Sequence, residues 1–233
     1  MFRSKLCLSA GLMALLLAVQ PASAELTQRQ KALIPISAFT ANGDTESLRT
    51  ALKNGLDNGL TISEARDALV QLYAYAGFPR SLTALTELVD LLNQRKASGI
   101  RDPEGPKANP RPDPSKVRAI GTATQTQLIG RPASGPVYDF APEIDTYLKE
   151  HLFGDIFSSG ILDHKTREIV TVSALASLPA PRQLRSHLNA CLNVGLTPSD
   201  LQSFVAVLKD TTNKTAGQLA ETTLQTVLSE RTK

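Results

Sequence analysis

Apolar residues recur every three or four positions along most of the chain, a spacing that predicts amphipathic helices. Leucines stand at positions 48, 52 and 56, and again at 184, 188 and 192, so each of these stretches carries an apolar stripe along one helical face. No run of alternating β-branched residues is long enough to predict a sheet. The pattern therefore indicates an all-α fold.

The helical pattern occurs twice. Residues 26–72 align without gaps to residues 162–208, a constant offset of 136 residues. Helix starts are marked by Thr27 and Thr61 in the first copy and by Asp163 and Thr197 in the second, since these side chains can accept hydrogen bonds from free backbone amides. Gly59 and Gly195 stand just before the last helix start of each copy. Glycine readily adopts the left-handed backbone conformation that ends a helix. Each copy is predicted to form helix, helix, glycine turn, helix.

The regions around the copies differ in composition. Residues 1–24 have a basic start, an apolar run and an A-x-A ending, which predicts a signal peptide cleaved after Ala24 and a periplasmic or secreted protein. The first repeat is expected over 25–95 and the second over 140–233. Between them, residues 96–139 contain five prolines from 103 to 114, which predicts a Pro-rich linker and irregular connection.

Net charge and cysteine content argue against nucleic-acid binding and against a disulfide-stabilised fold. The formal net charge of +3 includes Arg3 and Lys5 of the predicted signal peptide, and no basic cluster favours nucleic acid as a partner. No membrane association is expected after cleavage; the alternative is that residues 1–24 stay attached as an uncleaved anchor. Cys191 is the one cysteine outside residues 1–24, so the exported chain would have no internal disulfide. The fold must therefore depend on packing.

His187 is the main candidate for chemistry, because it lies beside the leucine stripe of the second copy and Ala51 replaces it in the first. The alternative is a half-buried structural histidine held by one hydrogen bond. His151 is expected at a packing position or a helix end, and His164 in an exposed first turn.

Two segments of the second copy carry a resemblance to a known family. They are Leu162-Asp163-His164-Lys165-Thr166-Arg167-Glu168-Ile169-Val170 and Ser186-His187-Leu188-Asn189-Ala190-Cys191-Leu192-Asn193-Val194-Gly195-Leu196-Thr197. They resemble the carboxymuconolactone decarboxylase family, which includes the alkylhydroperoxidase-D-like proteins. The first copy resembles it too, and its Tyr75 to Leu85 segment is similar to the family's tyrosine, glycine and proline segment. The resemblance implies two tandem helical repeats packed as a pseudo-dimer.

The resemblance places a glutamate at Glu168 and the histidine at His187. It places the cysteine pair of the peroxidase branch at Ala180 and Gln183, so both thiols needed for peroxide reduction there are missing. What remains is similar to the decarboxylase branch, which implies a reaction without a cofactor or metal. His187 would move a proton, and Glu168 would fix its tautomer. Cys191 stays open as a reactive thiol or as a small buried side chain.

Two further residues are candidates for substrate binding. Arg185 is one, although Arg49 occupies the same place in the first copy, which favours a salt bridge or a surface role. Tyr75 is the other, since the second copy has lost this tyrosine while the first has Ala32 at the glutamate position. We expect one composite pocket between the copies, with Tyr75 facing His187. The alternative is that Tyr75 only packs a helix start.

Three functions stay open at this point. The first is a lyase or decarboxylase-type enzyme that acts on a small carboxylated or lactone compound through His187 and Glu168. The second is peroxiredoxin-type redox activity through Cys191, and the third is a non-catalytic binding protein on the same fold. The resemblance also implies a homo-oligomer, a trimer or a hexamer-like ring.

Overall fold

Four consecutive helices form the first repeat in the computed structural model, which describes residues 25–212 and 214–232. They are α1 (Gln28–Asn42), α2 (Thr45–Asp57), α3 (Ile62–Ala76) and α4 (Phe78–Ala97). Thr27 and Thr61 each form a capping box, in which the threonine side chain and the side chain three residues later satisfy helix-start amides reciprocally. The helix starts predicted from these residues are therefore present.

The connection between the repeats begins with a segment that lacks regular secondary structure, residues 100–113, which we call the strap. It then becomes helical. Its helical parts are α5 (Pro114–Ile129), α6 (Pro136–Phe140), α7 (Pro142–Thr146), a π-helix (Tyr147–Phe153) and a 3-10 helix (Ile156–Ser159). The predicted irregular connection over 96–139 thus contains a 16-residue helix, α5. Asp113 caps α5 by accepting from the Ser115 amide, and Pro114 stands at its first position, where a missing N–H costs nothing.

The strap itself is held against the first repeat. The amides of Ile62 and Ser63, at the start of α3, donate to the carbonyl oxygens of Pro103 and Glu104 at 3.0 and 2.9 Å. These contacts satisfy two helix-start donors that have no partner within the helix. The proline-rich segment is therefore part of the packed structure although it lacks regular secondary structure.

The second repeat reproduces the first. Its helices are α8 (His164–Ser177), α9 (Pro181–Asn193), α10 (Pro198–Thr211) and α11 (Lys214–Arg231). All four begin 136 residues after their counterparts in the first repeat, the offset found in the sequence. Residues 25–212 and 214–232 contain no strand. The predicted all-α fold of two tandem repeats joined by a Pro-rich linker is confirmed.

Helices α1 and α8 pack against each other and exchange core residues between the repeats. Ile34 and Ala38 of α1 lie in the core of the second repeat, whereas Val170 and Ala174 of α8 lie in the core of the first. These pairs are equivalent at the 136-residue offset. Each repeat therefore contributes residues to the core of the other, and the two are arranged as a pseudo-dimer.

A buried polar network also joins the repeats. The Arg167 guanidinium, on α8, is fully buried and donates to Asp67 Oδ2 at 2.6 Å and to Gln71 Oε1 at 2.8 Å, both on α3. Gln71 returns a hydrogen bond to the Arg167 carbonyl at 2.9 Å, and Phe157 covers the guanidinium at 5.0 Å. Since Arg167 precedes Glu168, this network fixes the helix that carries the candidate glutamate.

The segment predicted to be a signal peptide, 1–24, lies outside the described residues. Among the helices that the structure does describe, none has the length and apolar character that crossing a bilayer requires.

Candidate active site

His187 and Glu168 form a hydrogen-bonded pair. His187 Nδ1, on α9, lies 2.8 Å from Glu168 Oε2, on α8. The Glu168 side chain is completely buried, whereas 20% of the His187 side chain is exposed. A carboxylate accepts hydrogen bonds, so the proton of this contact lies on Nδ1 and the lone pair of a neutral imidazole lies on Nε2.

Tyr75 joins this pair from the first repeat. Its ring stands edge-on to the His187 ring, with centroids 5.6 Å apart and an interplanar angle of 81°. The hydroxyl is buried and has no hydrogen-bond partner among the described residues. Burial, and next the charge of Glu168, raise the pKa of Tyr75, so the phenol stays protonated. The expected contact between the Tyr75 and His187 rings is therefore present, but Tyr75 does not line the cleft beside His187, so the expected composite pocket is not seen there.

Two polar atoms of this cluster are left unpaired. The Tyr75 hydroxyl is one and Glu168 Oε1 is the other, and neither is exposed to solvent. Buried polar atoms of a native fold are normally paired, with protein or with ordered water. Both atoms are enclosed in the protein, so the polar part of this cluster lies behind the His187 ring.

A cleft of about 530 Å³ opens beside His187. Its walls come from α9 and from the connection between the repeats, and they include Gln125, Leu128, Arg131, Phe153 and Gln183. This volume falls within the range of small-molecule sites, roughly 300–1,000 Å³. Because Nδ1 is engaged by Glu168, Nε2 is the ring nitrogen left for a bound molecule.

The cleft favours an anion. Arg131 brings a positive charge to its wall, and no carboxylate side chain lines it. Within the described part of the chain, Arg131 has no ion-pair partner. Gln125 adds a polar group that is 3% exposed and whose Oε1 has no hydrogen-bond partner. Sequence analysis missed both residues, since a single arginine or glutamine in a connection carries no local signal.

The structure does not bring Arg185 to this cleft. Its guanidinium donates to both carboxylate oxygens of Glu230 at 2.6 Å on the surface, and this pairing raises the pKa of Arg185. Arg49 makes the equivalent contact with Gln94 at 2.9 Å. A residue two positions before His187 on a helix faces another side, so the substrate-binding role expected for Arg185 has no geometric support.

Cys191 lies one turn beyond His187 and is fully buried. Burial, and then the charge of Glu168, raise the pKa of the Cys191 thiol well above its ordinary value. A protonated, inaccessible thiol is a poor nucleophile. Of the two cysteine positions of the peroxidase branch, Ala180 stands just before α9 and Gln183 lines the cleft. The arrangement therefore favours proton transfer over thiol redox chemistry.

Comparison with known proteins identifies the family of the chain. The model of the carboxymuconolactone decarboxylase family matches residues 8–90 and 142–216, more than half of the chain and one region in each repeat. A 67-residue segment is 31% identical to 4-carboxymuconolactone decarboxylase of Acinetobacter baylyi. That segment is 29% of this chain and spans about half, 50%, of the length of the relative. With two matched regions on a duplicated helical fold, the chain belongs to the carboxymuconolactone decarboxylase family.

Proposed function

We propose that this protein catalyses cofactor-independent proton transfer on a small carboxylated compound, of the lactone type, in the cleft beside His187. The observation that carries the proposal is the 2.8 Å contact between a buried carboxylate and an imidazole that lines a cleft of about 530 Å³. The name of the Acinetobacter relative, 4-carboxymuconolactone decarboxylase, supports a carboxylated lactone as the substrate class.

In the proposed reaction, Arg131 holds the substrate by a carboxylate or by the lactone oxygen. The bond between the leaving carboxylate and the ring carbon breaks, carbon dioxide departs, and the electron pair moves into the conjugated lactone. The imidazolium of His187 then delivers the proton on Nε2 to a ring carbon, and solvent restores the proton. A positioned acid contributes about 10²- to 10⁴-fold in rate.

Glu168 and Tyr75 are positioning groups in this scheme. The Glu168 carboxylate accepts from Nδ1, so it orients the ring and compensates the positive charge of the imidazolium. The Tyr75 ring fixes the other side of the imidazole by edge-on contact. Its protonated hydroxyl is enclosed in the protein beside the Thr171 side chain.

The test is turnover of 4-carboxymuconolactone and related carboxylated lactones, followed by carbon dioxide release and by deuterium incorporation into the product in D₂O. We expect His187→Ala to lose about 10²- to 10⁴-fold in kcat. Glu168→Gln should lose about 10²-fold or more, because the amide can donate to Nδ1 and select the wrong tautomer. His151→Ala is the matched control. His151 lies outside the cleft, and its Nδ1 is 3.7 Å from Asp155 Oδ2.

Two results would contradict the proposal. Full activity of His187→Ala would remove the histidine from the reaction. Absence of turnover by the intact protein, together with saturable binding of the lactones, would instead indicate the non-catalytic binding protein. Activity lost on Cys191→Ser but kept in His187→Ala would favour the redox function, which the burial of Cys191 does not support.

We also propose export and self-assembly. The signal-like sequence of residues 1–24 supports export, and mass spectrometry of the exported protein should find Glu25 as the first residue. Assembly is supported by α4, whose exposed Phe78, Leu82 and Val89 correspond to polar residues on α11. A trimer or hexamer-like ring would be seen by light scattering, and a strictly monomeric protein would exclude it.

A further inference from the structure

The first repeat contains a pocket at the position that matches the His187 site. Its volume is about 560 Å³, and it lies between α1, α2 and α10. The 136-residue offset relates its lining to the site in the second repeat. The three chemical positions, Glu168, His187 and Tyr75, correspond here to Ala32, Ala51 and Thr211. The pocket therefore has the location of the candidate active site without its acid–base groups.

The smaller side chains explain why this space is open. Ala32, Pro35 and Phe39 are half-buried and line the pocket, whereas their counterparts on α8 are all buried. In the second repeat, the imidazole and the phenol fill the equivalent volume. Here a methyl group and a threonine replace them, so an apolar wall faces the pocket. Apolar walls with a few polar groups are typical of small-molecule sites.

Lys31 supplies a cation to this pocket. It corresponds to Arg167, which is neutralised by Asp67 inside the core. Ser203 stands at the position that matches Asp67, so the buried carboxylate is missing and Lys31 instead reaches Glu25 at 3.4 Å. Glu25 is 77% exposed, and such a surface pair contributes little. The pocket also has one carboxylate, Glu46, an exposed residue in the first turn of α2.

We propose that this pocket is a second binding site, which takes a small organic acid and performs no chemistry on it. The apolar body of the acid would lie on Phe39 and Pro35, and its carboxylate would pair with Lys31. With alanine at positions 32 and 51, the pocket lacks the imidazole and carboxylate pair to which the proton transfer is assigned. Binding at this site does not require turnover in the other cleft.

The experiment uses the ¹⁵N-labelled full chain and phenylacetate as the probe, with phenylacetamide as its neutral match. We expect phenylacetate to shift the amide signals of Gly55 and its neighbours, with a dissociation constant of about 1 mM or below. Phenylacetamide and the Lys31→Gln variant should each weaken binding about fivefold. Lys53→Gln is the matched control, since Lys53 lies on α2 outside this pocket and pairs with Asp57.

Blocking variants separate the two sites. Ala51→Leu should abolish the shifts, and Ala32→Leu serves if Ala51→Leu does not fold, because the second repeat accommodates larger residues at both positions. His187→Ala should bind phenylacetate in this pocket as before. The proposal is overturned if about 20 mM phenylacetate shifts only signals around His187 or none at all. Equal binding of the amide, or equal affinity of Lys31→Gln and Lys53→Gln, overturns it as well.

Discussion

Replacing Asp67 with alanine tests the buried ion pair that joins the two repeats. Asp67 Oδ2 lies 2.6 Å from Arg167 Nη2, and the arginine side chain has no exposed surface. The Asp67→Ala variant leaves a buried guanidinium with only the neutral oxygens of Gln71 and Ser159 as acceptors. Burial already lowers the pKa of Arg167, yet an arginine cannot shed its proton at ordinary pH. The charge must therefore stay in the core without a counterion.

The cost follows from that geometry. Removing one partner of a buried pair destabilises a protein by about 3–5 kcal/mol, because the remaining charge is uncompensated. For a chain of this size, each kcal/mol lowers the melting temperature by about 2–4 °C, so a decrease of about 6–20 °C is expected. This is a large share of the roughly 5–15 kcal/mol that stabilise a typical domain.

Urea and thermal unfolding followed by circular dichroism measure this loss. The matched control is Glu104→Ala. Glu104 is exposed, and its carboxylate lies 3.4 Å from the guanidinium of Arg66, which is the residue next to Asp67. It should cost no more than about 0.5 kcal/mol. The double variant Asp67→Ala/Arg167→Met should recover most of the stability, since no charge remains buried. A loss below about 1 kcal/mol for Asp67→Ala, or a double variant less stable than the single one, would refute the reasoning.

Three further outcomes are expected. Gly121→Ala should cost about 1–3 kcal/mol in urea unfolding, because its Cβ would overlap the Lys149 carbonyl where α5 crosses the π-helix; unchanged stability would show that this crossing relaxes. Cys191 should react with iodoacetamide at pH 8 only as fast as the protein unfolds, since burial raises its pKa, and rapid labelling of the native protein would contradict that burial. Burial, and next the charge of Arg167, lower the pKa of His164 below its ordinary value of about 6.5. The unfolded chain therefore binds a proton at His164 at a higher pH than the folded protein does, so the free energy of unfolding should fall as the pH drops below about 6.5. His164→Asn should flatten this decline, which melting curves between pH 5 and pH 7 would reveal, and equal slopes in both proteins would argue against it.

Local chemistry made the helices of the repeats predictable. Thr61 and Thr197 cap their helices within three residues, so the signal is complete in a short stretch of sequence. Because the segment occurs twice, each helix boundary is marked at two equivalent places in the sequence. Helix α5 was not predicted, because it packs on the π-helix through Gly121 and Gly154, and glycines carry no apolar pattern.

The site was predictable only where the family pattern covers it. That pattern put Glu168 and His187 within one site, and the structure places them in hydrogen-bond contact. Arg131 and Gln125 reach the cleft from the connection, which depends on how α5 packs against α9. Charged residues are normally exposed, so the burial of Arg167 could not be predicted from the sequence.

The reciprocal exchange of core residues between α1 and α8 has an evolutionary consequence. In a symmetric assembly of identical one-repeat chains, every substitution appears at both equivalent positions. Covalent fusion removes that constraint, so each half can change alone while the shared interior keeps the halves together. The loss of the histidine from one half and of the tyrosine from the other is what such independent drift would produce. The two halves of the chain can therefore change in sequence independently, as the subunits of a heterodimer can, while the single polypeptide keeps them in a one-to-one ratio.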